Sequence, residues 1–145
     1  MKKIKVLLLT FALILLAGCG KSLTNKSTGD TMKISLDVDT SSNYVWSYSI
    51  MDSNVIDLKS EEFLTPADDE TLDGDAQVLT FKAFNEGESE IILSYMNNDS
   101  GKTKYDITYV IIVDANKNIK VKEKSGKYSK KLPNPVIYTE SNDEK

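Results

Sequence analysis

Residues 105–113 read Tyr-Asp-Ile-Thr-Tyr-Val-Ile-Ile-Val. Ile107, Tyr109, Ile111 and Val113 fall on one face of this run. β-Branched and aromatic side chains pack well on a pleated surface, so the stretch predicts a strand with one buried side. Working toward the N-terminus, the polar run Asn97-Asn98-Asp99-Ser100-Gly101-Lys102 predicts a hairpin loop. Before it, Ile91, Leu93 and Tyr95 alternate with Ile92 and Ser94. Earlier still, Leu79, Phe81 and Ala83 share a face of Val78 to Phe84. The segment Asn85 to Glu88 separates these two runs as a turn.

The same period of two opens the domain. Ile34, Leu36 and Val38 alternate with Ser35 and Asp37. The turn cluster Asp39-Thr40-Ser41-Ser42-Asn43 follows. Tyr44, Trp46, Tyr48 and Ile50 are then in phase, and Val55 to Leu58 predicts a further short strand. Lys59 to Gln77 is acidic and interrupted by Pro66 and Gly74. It reads as a loop with a helical turn near Ser60 to Phe63. After the turn Asp114 to Lys117, Ile119-Lys120-Val121 predicts a last short strand. No stretch has a helical period. Several short strands at regular spacing predict an all-β, immunoglobulin-like β-sandwich. The domain is expected over 32–122, with a disordered tail at 123–145 in which Val136-Ile137-Tyr138 is the one apolar cluster.

The N-terminus has a different character. Lys2, Lys3 and Lys5 precede the apolar run Val6 to Leu16, which is about a secretory core in length and short for a membrane span. Leu16-Ala17-Gly18-Cys19 resembles a bacterial lipobox. The resemblance implies a lipoprotein signal peptide at 1–18 and diacylglycerol on Cys19. It also implies attachment to the extracytoplasmic face of the cell membrane. Residues 19–31 are polar and read as a lipidated cysteine followed by a flexible tether.

Composition excludes several chemistries. The 145 residues include 18 basic ones, all lysine, with 22 Asp+Glu, no His and a single Cys. One cysteine makes no intrachain disulfide. Without histidine there is no Ser-His-Asp or Cys-His system and no imidazole metal ligand. Lipidation would consume the Cys19 thiol, so the chain does not read as an enzyme. Cleavage of the leader would remove three of the 18 lysines and none of the acidic residues. An acidic domain repels phosphate, so nucleic acid is not an expected partner. No cofactor or metal is expected. The carboxylates Asp68, Asp69, Glu70, Asp73 and Asp75 lack the spacing of the helix-loop-helix calcium loop and read as a solvated loop.

The stretch Asp39-Thr40-Ser41-Ser42-Asn43-Tyr44-Val45-Trp46 resembles the first loop of the chagasin-like inhibitors of papain-type cysteine proteases. Those have Asn-Pro-Thr-Thr-Gly-Tyr/Phe, then any residue, then Trp. Tyr44 and Trp46 keep the spacing, and Ser41 and Ser42 are similar to the paired threonines. Asn43 replaces Gly and is the side chain most tolerant of positive φ. Asp39 and Thr40 depart from the pattern. The order of the later strands is similar from Met32 to about Val113. The nearest counterpart of the family's middle Gly-rich loop is Asp73-Gly74-Asp75-Ala76, with one glycine only. The position of its Arg-Pro-Trp loop is occupied by Asn97-Asn98-Asp99, a departure from the pattern. The resemblance implies a surface-anchored inhibitor that occludes the cleft of a papain-like cysteine protease. Asp39, Thr40, Ser41, Ser42, Asn43, Tyr44, Gly74, Asn97, Asn98 and Asp99 are then the expected contact residues. The polar third loop leaves a second expectation: a non-inhibitory cell-envelope lipoprotein that uses the same sandwich for protein interaction. Trp46, an inward aromatic, reads as core.

Overall fold

In a computed structural model that describes residues 27–140, the alternating segments form eight strands: β1 (Thr31–Asp37), β2 (Tyr44–Ile50), β3 (Ile56–Leu64), β4 (Ala76–Ala83), β5 (Gly87–Asn97), β6 (Thr103–Val113), β7 (Ile119–Lys127) and β8 (Val136–Tyr138). There is no helix among the described residues. The strands make two antiparallel four-stranded sheets, in the orders β3-β4-β1-β8 and β2-β5-β6-β7. Setting β1 to β6 against immunoglobulin strands B to G reproduces the B-E-D and C-F-G neighbours of that sandwich. β8 lies where strand A would.

The inward faces follow from the period of two. Ile34 and Leu36 of β1, Leu79 and Phe81 of β4, Ile91 and Leu93 of β5, and Ile107, Tyr109 and Ile111 of β6 are fully buried. Full burial of such a side chain is worth about 1.5–3 kcal/mol, so these alternating faces hold the sheets together. Trp46 is 3% exposed and belongs to this core, as its inward position predicted.

Three sequence expectations are corrected. Residues 59–64 are not a loop with a helical turn. β3 continues to Leu64 along β4, with a bulge between Leu58 and Ser60. The bulge and the exposed Lys59, Glu61 and Glu62 hide the strand period, while charges on an edge strand guard it against pairing with other chains. The domain does not end at Lys122 with a disordered tail behind it. β7 runs to Lys127, and Val136–Tyr138 pairs with Thr31–Lys33. Here a bulge opposite Val110 and Ile111 shifts the alternation within a lysine-rich strand. The domain also starts before Met32: Thr31 is fully buried in β1, and the Gly29 carbonyl accepts the Ile119 N–H at 2.8 Å. Residues 29–31 of the expected tether therefore belong to the domain. The expected signal peptide at 1–18 and the expected lipidation site Cys19 lie outside the described residues, as do 141–145.

Strand direction sets the two ends of the sandwich. β1, β3 and β5 all finish at one end, where β2, β4 and β6 begin. The chain enters β1 and leaves β8 at the other end, where Thr31 pairs with Tyr138.

Candidate functional site: three loops on an aromatic floor

The connections 38–43, 65–75 and 98–102 emerge side by side at the first of these ends. All the expected contact residues therefore gather there. Hydrogen bonds tie the first loop to both of the others. The Val38 N–H donates to the Asp75 carbonyl at 3.1 Å, and the Thr40 hydroxyl donates to the Asp75 carboxylate. The Asn98 N–H donates to the Asn43 carbonyl at 2.8 Å, and the Asn43 side-chain amide donates to the Asp99 carboxylate. Gly74 is exposed next to Asp75, with open space around its Cα.

Each loop is also closed on itself by a short polar side chain. The Asp39 carboxylate accepts from the Ser41 N–H at 3.0 Å and from the Ser41 hydroxyl. The Ser42 hydroxyl donates to the Asp39 carbonyl at 2.8 Å and accepts from the Tyr44 N–H. Asn97 Oδ1 accepts from the N–H groups of Asp99 and Ser100 at 3.1 and 2.9 Å. In the middle loop, Asp68 accepts from Thr65 and Asp69 from Thr71. Asp and Asn side chains favour such turns because they mimic a backbone acceptor. The same bonds hold the carboxyls below their ordinary pKa: Ser41 acts on Asp39, Thr65 on Asp68 and Thr71 on Asp69. Gly101 completes the third loop at φ 68°, a left-handed conformation that glycine adopts without strain.

Under the loops lies a floor of rings. Tyr95 is central, with centroids 5.3 Å from Tyr44, 5.0 Å from Trp46 and 6.0 Å from Tyr105. Tyr128 meets Trp46 and Tyr105 edge-on at 5.7 and 5.5 Å. These separations suit the ring quadrupole, which favours offset and edge contacts. The Tyr95 hydroxyl accepts the Asp39 N–H at 3.2 Å, and Trp46 Nε1–H donates to the Asp37 carbonyl at 2.9 Å. The core thus fixes the base of the first loop. Lys104 Nζ sits 5.7 Å from the Tyr44 ring centroid and 5.3 Å from that of Tyr105. A cleft of about 200 Å³ opens beside the loop, bounded by Asp39, Tyr105, Tyr128 and Lys130.

Tyr95, Lys104, Tyr105, Tyr128 and Lys130 were not among the sequence-predicted contacts. The signal available for Tyr95 and Tyr105 was their position, each three residues from the third loop. Tyr128 and Lys130 sit in the stretch read as a tail. Tyr44 is half-buried, so its ring serves the floor and still has an open face. A larger groove, of about 760 Å³, runs along the flank between β7 and β8 and contains none of the predicted contacts. The acidic residues of the middle loop form no group arranged to hold a metal ion among the described residues.

Comparison with known proteins adds the following. The model of the chagasin family peptidase inhibitor I42 matches residues 25–113. Among solved structures the chain is similar to that of the cysteine protease inhibitor EhICP2 from Entamoeba histolytica. The identity is 20% and the TM-score 0.49, and the match covers 61% of this chain and 81% of that one. No curated protein matches the chain.

Proposed function

The chain belongs to the chagasin family of peptidase inhibitors, and from that premise we propose that it reversibly blocks papain-like cysteine proteases at the extracytoplasmic face of the membrane, held there by diacylglycerol on Cys19. The observation that carries this reading is the convergence of the three loops and the bonds from Asn43 and Thr40 that join them. Loops that are already ordered lose little conformational entropy on binding, so more of the contact energy appears as affinity. Occlusion needs no chemistry from the inhibitor. The loops fill the cleft and present no scissile bond in register with the nucleophile. The half-buried Tyr44 supplies an aromatic contact at the edge of the first loop, the kind of residue that dominates interfaces.

The test is inhibition of a panel of papain-like proteases by residues 20–145, which include the whole described domain. Wild type is expected to inhibit at micromolar concentration or below. Ser41→Arg, at the exposed tip of the first loop, should weaken inhibition at least tenfold with an unchanged melting temperature. Failure of the wild type against every protease would sink the proposal. It would leave the non-inhibitory envelope lipoprotein, which the polar Asn97-Asn98-Asp99 favours. The anchor is tested separately: Cys19→Ala should release the protein from the membrane fraction of expressing bacteria.

A further inference from the structure

Beyond the matched stretch 25–113, β7 carries the chain back to the loop end, and residues 128–131 emerge beside the first loop. They are held there by side chains. Tyr128 is wedged against Trp46 and Tyr105, and Lys130 Nζ pairs with the Asp37 carboxylate at 2.5 Å. A hydrogen bond from Ser129 draws the Tyr105 hydroxyl below its ordinary pKa. The segment is thus a fixed part of the loop end.

Charge at this end is divided. The three loops hold Asp39, Asp68, Asp69, Glu70, Asp73, Asp75 and Asp99. On the side of β6 and β7 stand Lys102, Lys104, Lys130 and Lys131, with Asp37 paired to Lys130 and Asp106 on β6, so lysines are in excess there. Lys104 is exposed yet already placed over two tyrosine rings. The third loop itself carries no aromatic ring and no guanidinium. The groups that usually anchor an interface, rings and cations, stand immediately next to it instead.

We infer that residues 128–131 form a fourth contact element of the inhibitory end and that, with Lys104 and Tyr105, they make a cationic aromatic shoulder which engages a carboxylate-bearing wall of the protease cleft. The inference rests on the proposed inhibitory function. The shoulder does for this chain what an anchored third loop would do: it supplies a preplaced cation and a ring face at the margin of the cleft. It also orients the inhibitor, because an acidic wall is attracted to the lysine side and repelled by the middle loop.

The test compares wild type, Lys104→Glu, Lys130→Glu and Lys122→Glu, each as residues 20–145. Association rates and inhibition constants are measured at low and high salt on the most strongly inhibited protease of the panel. Lys104→Glu should slow association and raise the inhibition constant at least tenfold at low salt, with a smaller loss at high salt, where charges are screened. Lys130→Glu should act in the same direction. Lys122→Glu, the same charge change on the flank of β7, should match wild type. Thermal melts separate lost contacts from lost folding. If wild type inhibits and Lys104→Glu inhibits equally well at both salt concentrations, the shoulder is refuted and the inhibitory function stands. If Lys122→Glu weakens inhibition as much as Lys104→Glu, net charge is responsible and the shoulder is again refuted. If wild type does not inhibit, the underlying function has failed, and the shoulder falls with it.

Discussion

Gln77 is a polar side chain on the inward face of β4, and it is completely buried. Its Oε1 accepts from the Trp46 N–H at 2.9 Å, and its Nε2 donates to the Trp46 carbonyl at 2.7 Å and to the Glu61 carboxylate. It satisfies the backbone groups that edge strand β2 turns away from β5, and so joins the two sheets. Gln77→Leu would leave the Trp46 N–H and C=O without partners in a dry setting. A loss of about 2–4 kcal/mol is expected in urea unfolding; a change below about 0.5 kcal/mol would mean that water reaches those groups. Nothing in the local sequence marks Gln77, since its partners are 16 and 31 residues away. Trp46 was legible because an inward aromatic on a strand has few other places to go. Asn97, Asn98 and Asp99 were legible as a loop at the right position. Their hydrogen bonds were not: a proline at 98 would remove the N–H that reaches Asn43, so this hairpin is built around its own polar sequence.

Among the elements, the regular strands could be read and the bulged edge strands could not. β1, β4, β5 and β6 lie against neighbours on both sides, and their inward residues are mostly apolar, so the period of two is plain; Gln77 and Ser89 are buried polar exceptions. β8, at one edge, is only three residues long; β3 and β7, at two others, carry lysine and glutamate and contain bulges. Their apolar signal is accordingly weak. The last described segment nevertheless carries structural weight. Tyr128, Leu132 and Ile137 pack on the core, the Pro133 carbonyl accepts the Tyr109 hydroxyl at 2.9 Å, and β8 extends the sheet beyond β1. Gly126 permits β7 to finish close to β6: at φ 136°, a Cβ there would stand 2.1 Å from the Asp106 carbonyl oxygen. A chain stopped after Lys127 should lose on the order of 3–5 kcal/mol of stability and expose the ring floor. Its melting temperature would equal that of the full chain only if this segment were a passive tail.

At the scale of the whole molecule, the sandwich was readable from the count and spacing of strands. The joining of the loops was not, because it depends on which strands run in which direction and on side chains such as Asn43 that reach across. Burial of the Tyr109 ring raises its hydroxyl pKa to about 12. The unfolded chain releases that proton near pH 10 and the folded one near 12, so the folded state binds more protons in between. Stability present below pH 10 is therefore lost as pH rises from about 10 to about 12, by on the order of 2–3 kcal/mol. Denaturant titrations across this range should show a shallower alkaline decline for Tyr109→Phe than for wild type. Equal slopes would assign the decline to the lysines instead.

The strand directions also determine how the domain can be handled. Thr31 and Tyr138 are paired neighbours at the foot of the sandwich, and the loops are at its head. A sensor chip, a bead or a second protein joined to either end of the domain would therefore be attached on the side away from the loops. Copies could be strung in tandem through these adjacent ends, each keeping its loop surface turned outward.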